Sequence, residues 1–167
     1  MSTLTPREQE AVDAFRAYVA QRARCVAGEA PWSTIADWFT DDAVFIDPVW
    51  GRVVGREQIA TFFDWSMRGL DGWSFPEEWT TADGDRVVSF WWNRLPGTDA
   101  HGRPHQVPAF SISHYAGDGL FEYELDVMNF AEVMEVITAS GWRPGRDLAH
   151  SEEKPDRDVT PPRLASP

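Results

Sequence analysis

Cysteine is almost missing from this chain. Cys25 stands alone, which excludes a disulfide framework and a cysteine-based zinc site, and its place in a helical pattern makes it a small core residue. The four histidines, His101, His105, His114 and His150, have no metal-ligand spacing, so no metal is expected. Basic charge is scarce: 15 Lys plus Arg stand against 27 Asp plus Glu, a formal charge of −12. Such a surface is repelled by phosphate backbones and anionic membranes, which argues against nucleic acid or a membrane as partner. No stretch approaches the roughly 18 apolar residues of a membrane span. Met1 to Thr5 lacks the basic and apolar blocks of a secretory signal, so the expected location is cytoplasmic. No internal repeat is visible.

Apolar side chains, by contrast, are plentiful. They make up 43% of 167 residues, with nine Trp, ten Phe and three Tyr, enough for one sizeable core and one domain. Thr5-Pro6-Arg7-Glu8 has the form of a capping box with Pro at the first helical position, and Val12, Phe15, Val19 and Arg22 recur at helical spacing to about Val26. Gly28 and Pro31 end that helix. Ser33 is placed to cap a short helix holding Ile35, Trp38 and Phe39, after which Asp41-Asp42 are expected to turn the chain into a strand from Ala43 to Asp47. Ile59, Phe62, Phe63 and Met67 form the apolar stripe of a further helix between Gly55 and Gly69.

The rest reads as extended chain. Asp83-Gly84 marks a two-residue hairpin before a strand from Arg86 to Leu95. A longer turn around Pro96 to Pro104 leads to a strand from His105 to Tyr115, in which Pro108 implies an edge or a bulge. Gly117-Asp118-Gly119 turns into Leu120 to Phe130, and a short amphipathic helix from Ala131 to Ser140 is stopped by Gly141. Helices followed by a meander of long strands specify an α+β fold: a cone of strongly curved, antiparallel or mixed β-sheet wrapped around N-terminal helices, with an internal pocket. Residues 1–142 form that single domain. Residues 143–167 are charged, contain Pro144, Pro155, Pro161, Pro162 and Pro167, and carry no apolar periodicity, so a disordered tail is expected there.

Two stretches carry a family resemblance. Phe39-Thr40-Asp41-Asp42-Ala43 through Asp47-Pro48-Val49, then Gly55-Arg56 and a helix with Ile59 and Phe62-Phe63, resembles the ketosteroid isomerase and SnoaL-like polyketide cyclase branch of the nuclear transport factor 2-like superfamily. The order of elements agrees from about Val12 to Phe130. The resemblance implies cofactor-free acid-base chemistry on an apolar polyketide, steroid or terpenoid-like molecule (isomerisation, cyclisation or dehydration) by a homodimer paired through its sheet. It also leaves open a non-catalytic binding or assembly module of the same fold, or a limonene-epoxide-hydrolase-like hydrolase.

By that resemblance Asp47 falls on the position of the isomerase's base. A carboxylate at a strand end, backed by Phe45, Trp50, Phe62 and Phe63, is partly desolvated and its pKa rises toward a useful range. The other reading of Asp47 is a turn residue before Pro48. Tyr18-Val19-Ala20 resembles the isomerase's first-helix Tyr segment, with an inserted turn after it; Tyr18 is then a hydrogen-bond donor in the site, or else an ordinary core aromatic. The isomerase's second acidic donor falls on Ser111, which cannot serve as a protonated carboxylic acid and so departs from a standard isomerase. Glu122-Tyr123-Glu124-Leu125-Asp126 resembles the segment in which SnoaL-like cyclases and epoxide hydrolases keep a cavity-facing Asp, here Asp126. Strict alternation places Asp126 with Glu122 and Glu124, a set that also fits a solvated face unless a bulge between Glu124 and Asp126 separates them. Trp91 and Asn93 share one strand face and are placed either to line a cavity, with Met128 and Ser111 as further lining candidates, or to pack as ordinary core, while Trp92 and Arg94 take the other face. Arg94 therefore has the wrong parity to stand between two inward carboxylates, as an epoxide hydrolase needs.

Overall fold

The computed structural model describes residues 4–150 and 154–162. Thr5 caps the first helix, α1 (Pro6–Val26): its hydroxyl accepts from the Glu8 amide at 3.3 Å while Glu8 Oε2 accepts from the Thr5 amide at 2.7 Å. One stripe of α1 is buried, comprising Ala11, Val12, Phe15, Tyr18, Arg22 and Cys25. Arg22 thus occupies a position that helical periodicity reserves for an apolar side chain.

A 3-10 helix follows at Trp32–Trp38, and β1 (Phe39–Asp47) begins directly after it. Two local expectations change here. Ser33 does not cap the 3-10 helix, whose N-cap is Pro31 without a side-chain bond; the Ser33 amide instead donates to Asp64 Oδ1 at 2.7 Å. Asp41 and Asp42 do not end a turn but lie exposed within β1, where the register against its neighbour slips between Phe39 and Val44. The two carboxylates bulge into water while the strand continues beneath them. β2 (Gly51–Val54) hairpins back on β1, and α2 (Arg56–Ser66) buries Ile59, Phe62 and Phe63.

The remaining strands are β3 (Glu77–Asp83), β4 (Arg86–Thr98), β5 (Pro104–Gly117) and β6 (Leu120–Met128), followed by α3 (Phe130–Ser140), which Asn129 caps and left-handed Gly141 ends. They form one curved, unclosed six-stranded sheet in the order β2-β1-β6-β5-β4-β3, antiparallel except for β1 against β6. Pro108 pairs with Trp92 but lies one residue past the last β5–β6 pair, Ala109 with Met128. That stretch of a central strand is locally an edge, and no ladder bond is lost there. The main core, including Phe15, Tyr18, Phe39, Phe45, Phe62 and Phe121, fills the space between α1, α2 and the concave face.

Residues 143–150 and 154–162, expected to stand apart as a tail, lie against the domain. The Gly145 amide donates to Gly69 O at 2.9 Å, and a Cβ on Gly69, whose φ is +74°, would come within 2.6 Å of Leu148 Cα. Farther along, the Arg52 amide donates to Asp156 O at 2.8 Å, Arg52 Nη1 donates to the carbonyls of Asp158 and Thr160, and Arg157 Nη1 donates to Pro48 O at 2.8 Å. Tyr123 Oη donates to Val159 O at 2.7 Å. Gly51, at φ +90°, has no room for a Cβ because Asp156 O would be 2.5 Å away. A segment without apolar periodicity is therefore held mainly through its own backbone, with Arg157 adding one side-chain bond. The rest of the expected tail, 151–153 and 163–167, lies outside the described residues.

Candidate active-site cavity

The concave sheet face, α1, α2, α3 and the 142–150 segment surround a cavity of about 450 Å³. Phe45, Phe62 and Phe63 pack on one another along one wall, with ring centroids 5.0–5.4 Å apart, and Trp50 meets Trp65 edge-to-face beside them. Trp91, Asn93 and Met128 line it from the sheet; Trp142, Leu148, Ala149 and His150 line it from the C-terminal segment. The sheet leaves room because three successive inward positions in the middle of β5 are small: Ala109, Ser111 and Ser113 are all fully buried.

Asp47 closes β1 at this wall and is half-buried. Its Oδ1 accepts from the Val49 amide at 2.7 Å and the Trp50 amide at 3.1 Å, so it does hold the turn before Pro48. Both turn bonds fall on one oxygen, which leaves Oδ2 for the cavity. Burial raises the Asp47 pKa, and the two amides pull it back down.

β6 brings the second carboxylate. His114 pairs with Tyr123 but Tyr115 pairs with Phe121, so Glu122 is the extra residue of a bulge. From there Glu124 and Asp126 share the inward face, opposite Ser113 and Ser111, while Tyr123 and Leu125 face outward. The bulge thus lies before Glu124, not between Glu124 and Asp126, and both carboxylates turn inward with their parity intact. Asp126 Oδ1 accepts from Ser111 Oγ at 2.6 Å, and Ser111 Oγ accepts from Trp91 Nε1 at 3.0 Å. An indole N–H can only donate. The Ser111 hydroxyl, accepting from Trp91 and donating to Asp126 Oδ1, leaves Oδ2 as the Asp126 oxygen available to a proton. Burial, with the Glu124 charge next, pushes the Asp126 pKa well above the usual carboxylate range.

Two groups missing from the sequence reading complete the site. Glu124 is fully buried behind Tyr18, whose hydroxyl donates to Glu124 Oε1 at 3.2 Å. Burial raises its carboxyl to about 7, against the pull of Arg22, Tyr18 and the nearby serines. Tyr18 lines the cavity, but its proton is already committed to Glu124. Asn93 Nδ2 likewise lies 3.3 Å from Met128 Sδ. Arg22, 6% exposed, reaches the cavity from α1 with its guanidinium 5.1 Å from the Trp91 ring and 5.8 Å from the Tyr18 ring. Both had a signal: Arg22 stands in the apolar stripe of α1, and an inward Asp126 implies an inward Glu124 two residues earlier. Ser111 stands behind Asp126 rather than on the cavity surface. Among the described residues no cluster of three or more His, Cys, Asp or Glu is placed to hold a metal ion, and no helix is long and apolar enough to cross a membrane.

The model of the SnoaL-like domain matches residues 9–123. This chain belongs to the SnoaL-like domain family. Among solved structures, the SnoaL-like chain is similar to a protein assigned as a SnoaL-like polyketide cyclase from Jannaschia sp. CCS1, at 19% identity and a TM-score of 0.64, covering 83% of this chain and 99% of that one. An epoxide hydrolase from M. tuberculosis, like limonene epoxide hydrolase, aligns at 18% identity and a TM-score of 0.60 over 80% of this chain and 92% of that one. TerC, co-crystallised with polyporic acid, aligns at 20% identity and a TM-score of 0.59 over 77% and 98%. At these identities the likeness establishes the nuclear transport factor 2-like fold alone. No curated protein matches the chain.

Proposed function

We propose that this SnoaL-like protein binds an apolar, ring-containing molecule and moves a proton next to one of its carbonyl groups without a cofactor, as in isomerisation, cyclisation or dehydration. The observation that carries this reading is the meeting, in one apolar cavity, of two carboxyl groups in unlike settings. Asp47 is kept nearer to ionisation by two amides, and Asp126 is pushed toward its protonated form, with Oδ1 already engaged by Ser111. Such a split assigns a base and an acid.

In this mechanism Asp47 Oδ2 removes the proton on the carbon beside the carbonyl. The electron pair moves onto the carbonyl oxygen, which accepts a hydrogen bond from Asp126 Oδ2–H. Isomerisation returns the proton from Asp47 at a second carbon; in cyclisation the enolate carbon attacks a second carbonyl of the same molecule and the resulting alkoxide takes the proton from Asp47; in dehydration the C–O bond of a β-hydroxyl breaks and the hydroxyl leaves as water with that proton. Tyr18 acts on this step only through Glu124. The test is deuterium exchange into a bound ketone in heavy water, by the wild type and by Asp47→Asn. Equal rates in the two proteins sink the assignment of the base, and tight binding without exchange by either favours a binding module.

A second reading is epoxide hydrolysis. It is favoured by the Arg22 charge lying close enough to lower the pKa values of both Glu124 and Asp126. Incorporation of labelled water oxygen into a diol, retained in Asp47→Asn, would select it.

A further inference from the structure

Arg22 is the cation that the proposed proton transfer does not use. A guanidinium stays charged at any working pH, and burying one without a counter-ion is costly. Here only Nη2 has a protein acceptor, Phe75 O at 3.2 Å. Nε is buried with no partner, Nη1 takes no acceptor among the described residues, and no carboxylate oxygen there lies within ion-pair distance. The aromatic rings of Trp91 and Tyr18 lie beside the group, 5.1 Å and 5.8 Å from it. Of the titratable groups around it, Glu124 behind Tyr18 and Asp126 opposite Ser111 are both pushed toward their neutral forms, and Asp47 and the exposed His150 also line the cavity. The charge at the base of this apolar pocket is incompletely answered by the protein.

We propose that Arg22 is the docking point for an anionic oxygen of the ligand, so that the substrate class is a flat, mostly apolar ring system bearing an acidic enol or phenol-type hydroxyl. This rests on the reading of the cavity as a substrate site and adds to it a second oxygen, distinct from the carbonyl oxygen at Asp126. The anion completes the neutralisation that Glu124 begins. At pH 8, where Glu124 is largely ionised, arrival of that anion beside Arg22 drives Glu124 to take up a proton.

The probe pair is 4-hydroxy-3-phenylcoumarin, ionised at neutral pH, and its neutral methyl ether, 4-methoxy-3-phenylcoumarin, titrated by calorimetry into the full-length protein. The anion is expected to bind at least about tenfold tighter than the ether, as a charge-assisted hydrogen bond provides. Arg22→Met should erase that preference while leaving ether binding in place. Titration at pH 8 in buffers of different ionisation heat should register proton uptake with the anion only, and Glu124→Gln should abolish the uptake. If Arg22→Met does not fold, the preference and the proton uptake of the wild type decide. Equal affinity for the two probes, a preference that survives Arg22→Met, or binding of neither probe overturns the proposal. Anion preference without deuterium exchange leaves Arg22 as the anchor and removes the catalytic reading; exchange into a neutral ketone without anion preference does the reverse.

Discussion

The two faces of the same strands are built against the usual pattern. On the concave face of β4, β5 and β6 stand Ser89, Asn93, Ser111, Ser113, Glu124 and Asp126, all buried, whereas the convex face carries Phe90, Trp92, Phe110 and Val127. Phe110 is 39% exposed and Val127 44%, and Trp79 of β3, 47% exposed, packs with Phe90 and Phe110. Buried polar groups cost free energy unless paired, and a contiguous exposed aromatic patch marks a surface that takes a partner. The contrast teaches that neither face is arranged for the stability of the isolated chain. The concave face buries polar and acidic groups, and the convex face leaves apolar area exposed. At its other end the convex face is closed by the chain itself: Val44, Ile46 and Tyr123 form a buried cluster there, and residues 155–160 pass alongside, fastened to Arg52 and Tyr123.

Breaking the concave face should have the largest effect. Asp47→Asn keeps the shape of the turn residue while removing the base, so deuterium exchange into a bound ketone should fall by about 10² to 10⁴, the usual contribution of a general base. Ligand affinity should change far less. A parallel loss of affinity and rate would mean that Asp47 only shapes the turn.

The convex face is expected to be covered by a second copy of the chain. Phe110→Asp puts a charge in the middle of the aromatic patch and should weaken self-association by tenfold or more in sedimentation runs, on the order of the loss of one central anchor. Exchange per chain should be unchanged, since Phe110 points away from the cavity. A wild type that sediments as a monomer at micromolar concentration removes this pairing.

Acidity sharpens the comparison further. Glu124 titrates near 4.5 when the chain is unfolded and about 7 when folded, so the folded protein binds more protons between those values. Its stabilising contribution is complete below the unfolded pKa and is lost as pH rises through about 7. Asp126 and Asp47 are raised as well and act with the same sign. Urea unfolding of the wild type should therefore weaken from pH 5 to pH 8, and Glu124→Gln should remove on the order of 1 to 3 kcal/mol of that slope. The same slope in both proteins would mean that Glu124 does not carry it.

The smallest effect belongs to the fastened segment. Arg52→Ala deletes two hydrogen bonds to backbone carbonyls at a partly exposed site, so unfolding free energy should drop by about 1 kcal/mol. Removal of residues 151–167 should do at least as much, with cavity chemistry kept. No change in melting temperature on truncation would make these contacts incidental.

By itself the sequence determined the elements and the family-level architecture. The capping box at Thr5, the apolar stripes of α1 and α2, the Asp83-Gly84 hairpin and the alternation through Trp91 and Asn93 are local signals, because each depends on neighbours within a turn or a pleat. That is why Asp47 at a strand end and Trp91 facing inward were legible. Only the tertiary structure decided what meets across the cavity. Tyr18 and Glu124 are 106 residues apart and Arg22 joins them from α1, so the local signals that turn Arg22 and Glu124 inward do not say that they meet. The bulge at Glu122 is invisible in sequence because one extra residue in a strand has no composition of its own. The docking of residues 154–162 was hidden for a related reason: it depends on backbone carbonyls, which every residue carries, received by side chains of distant strands.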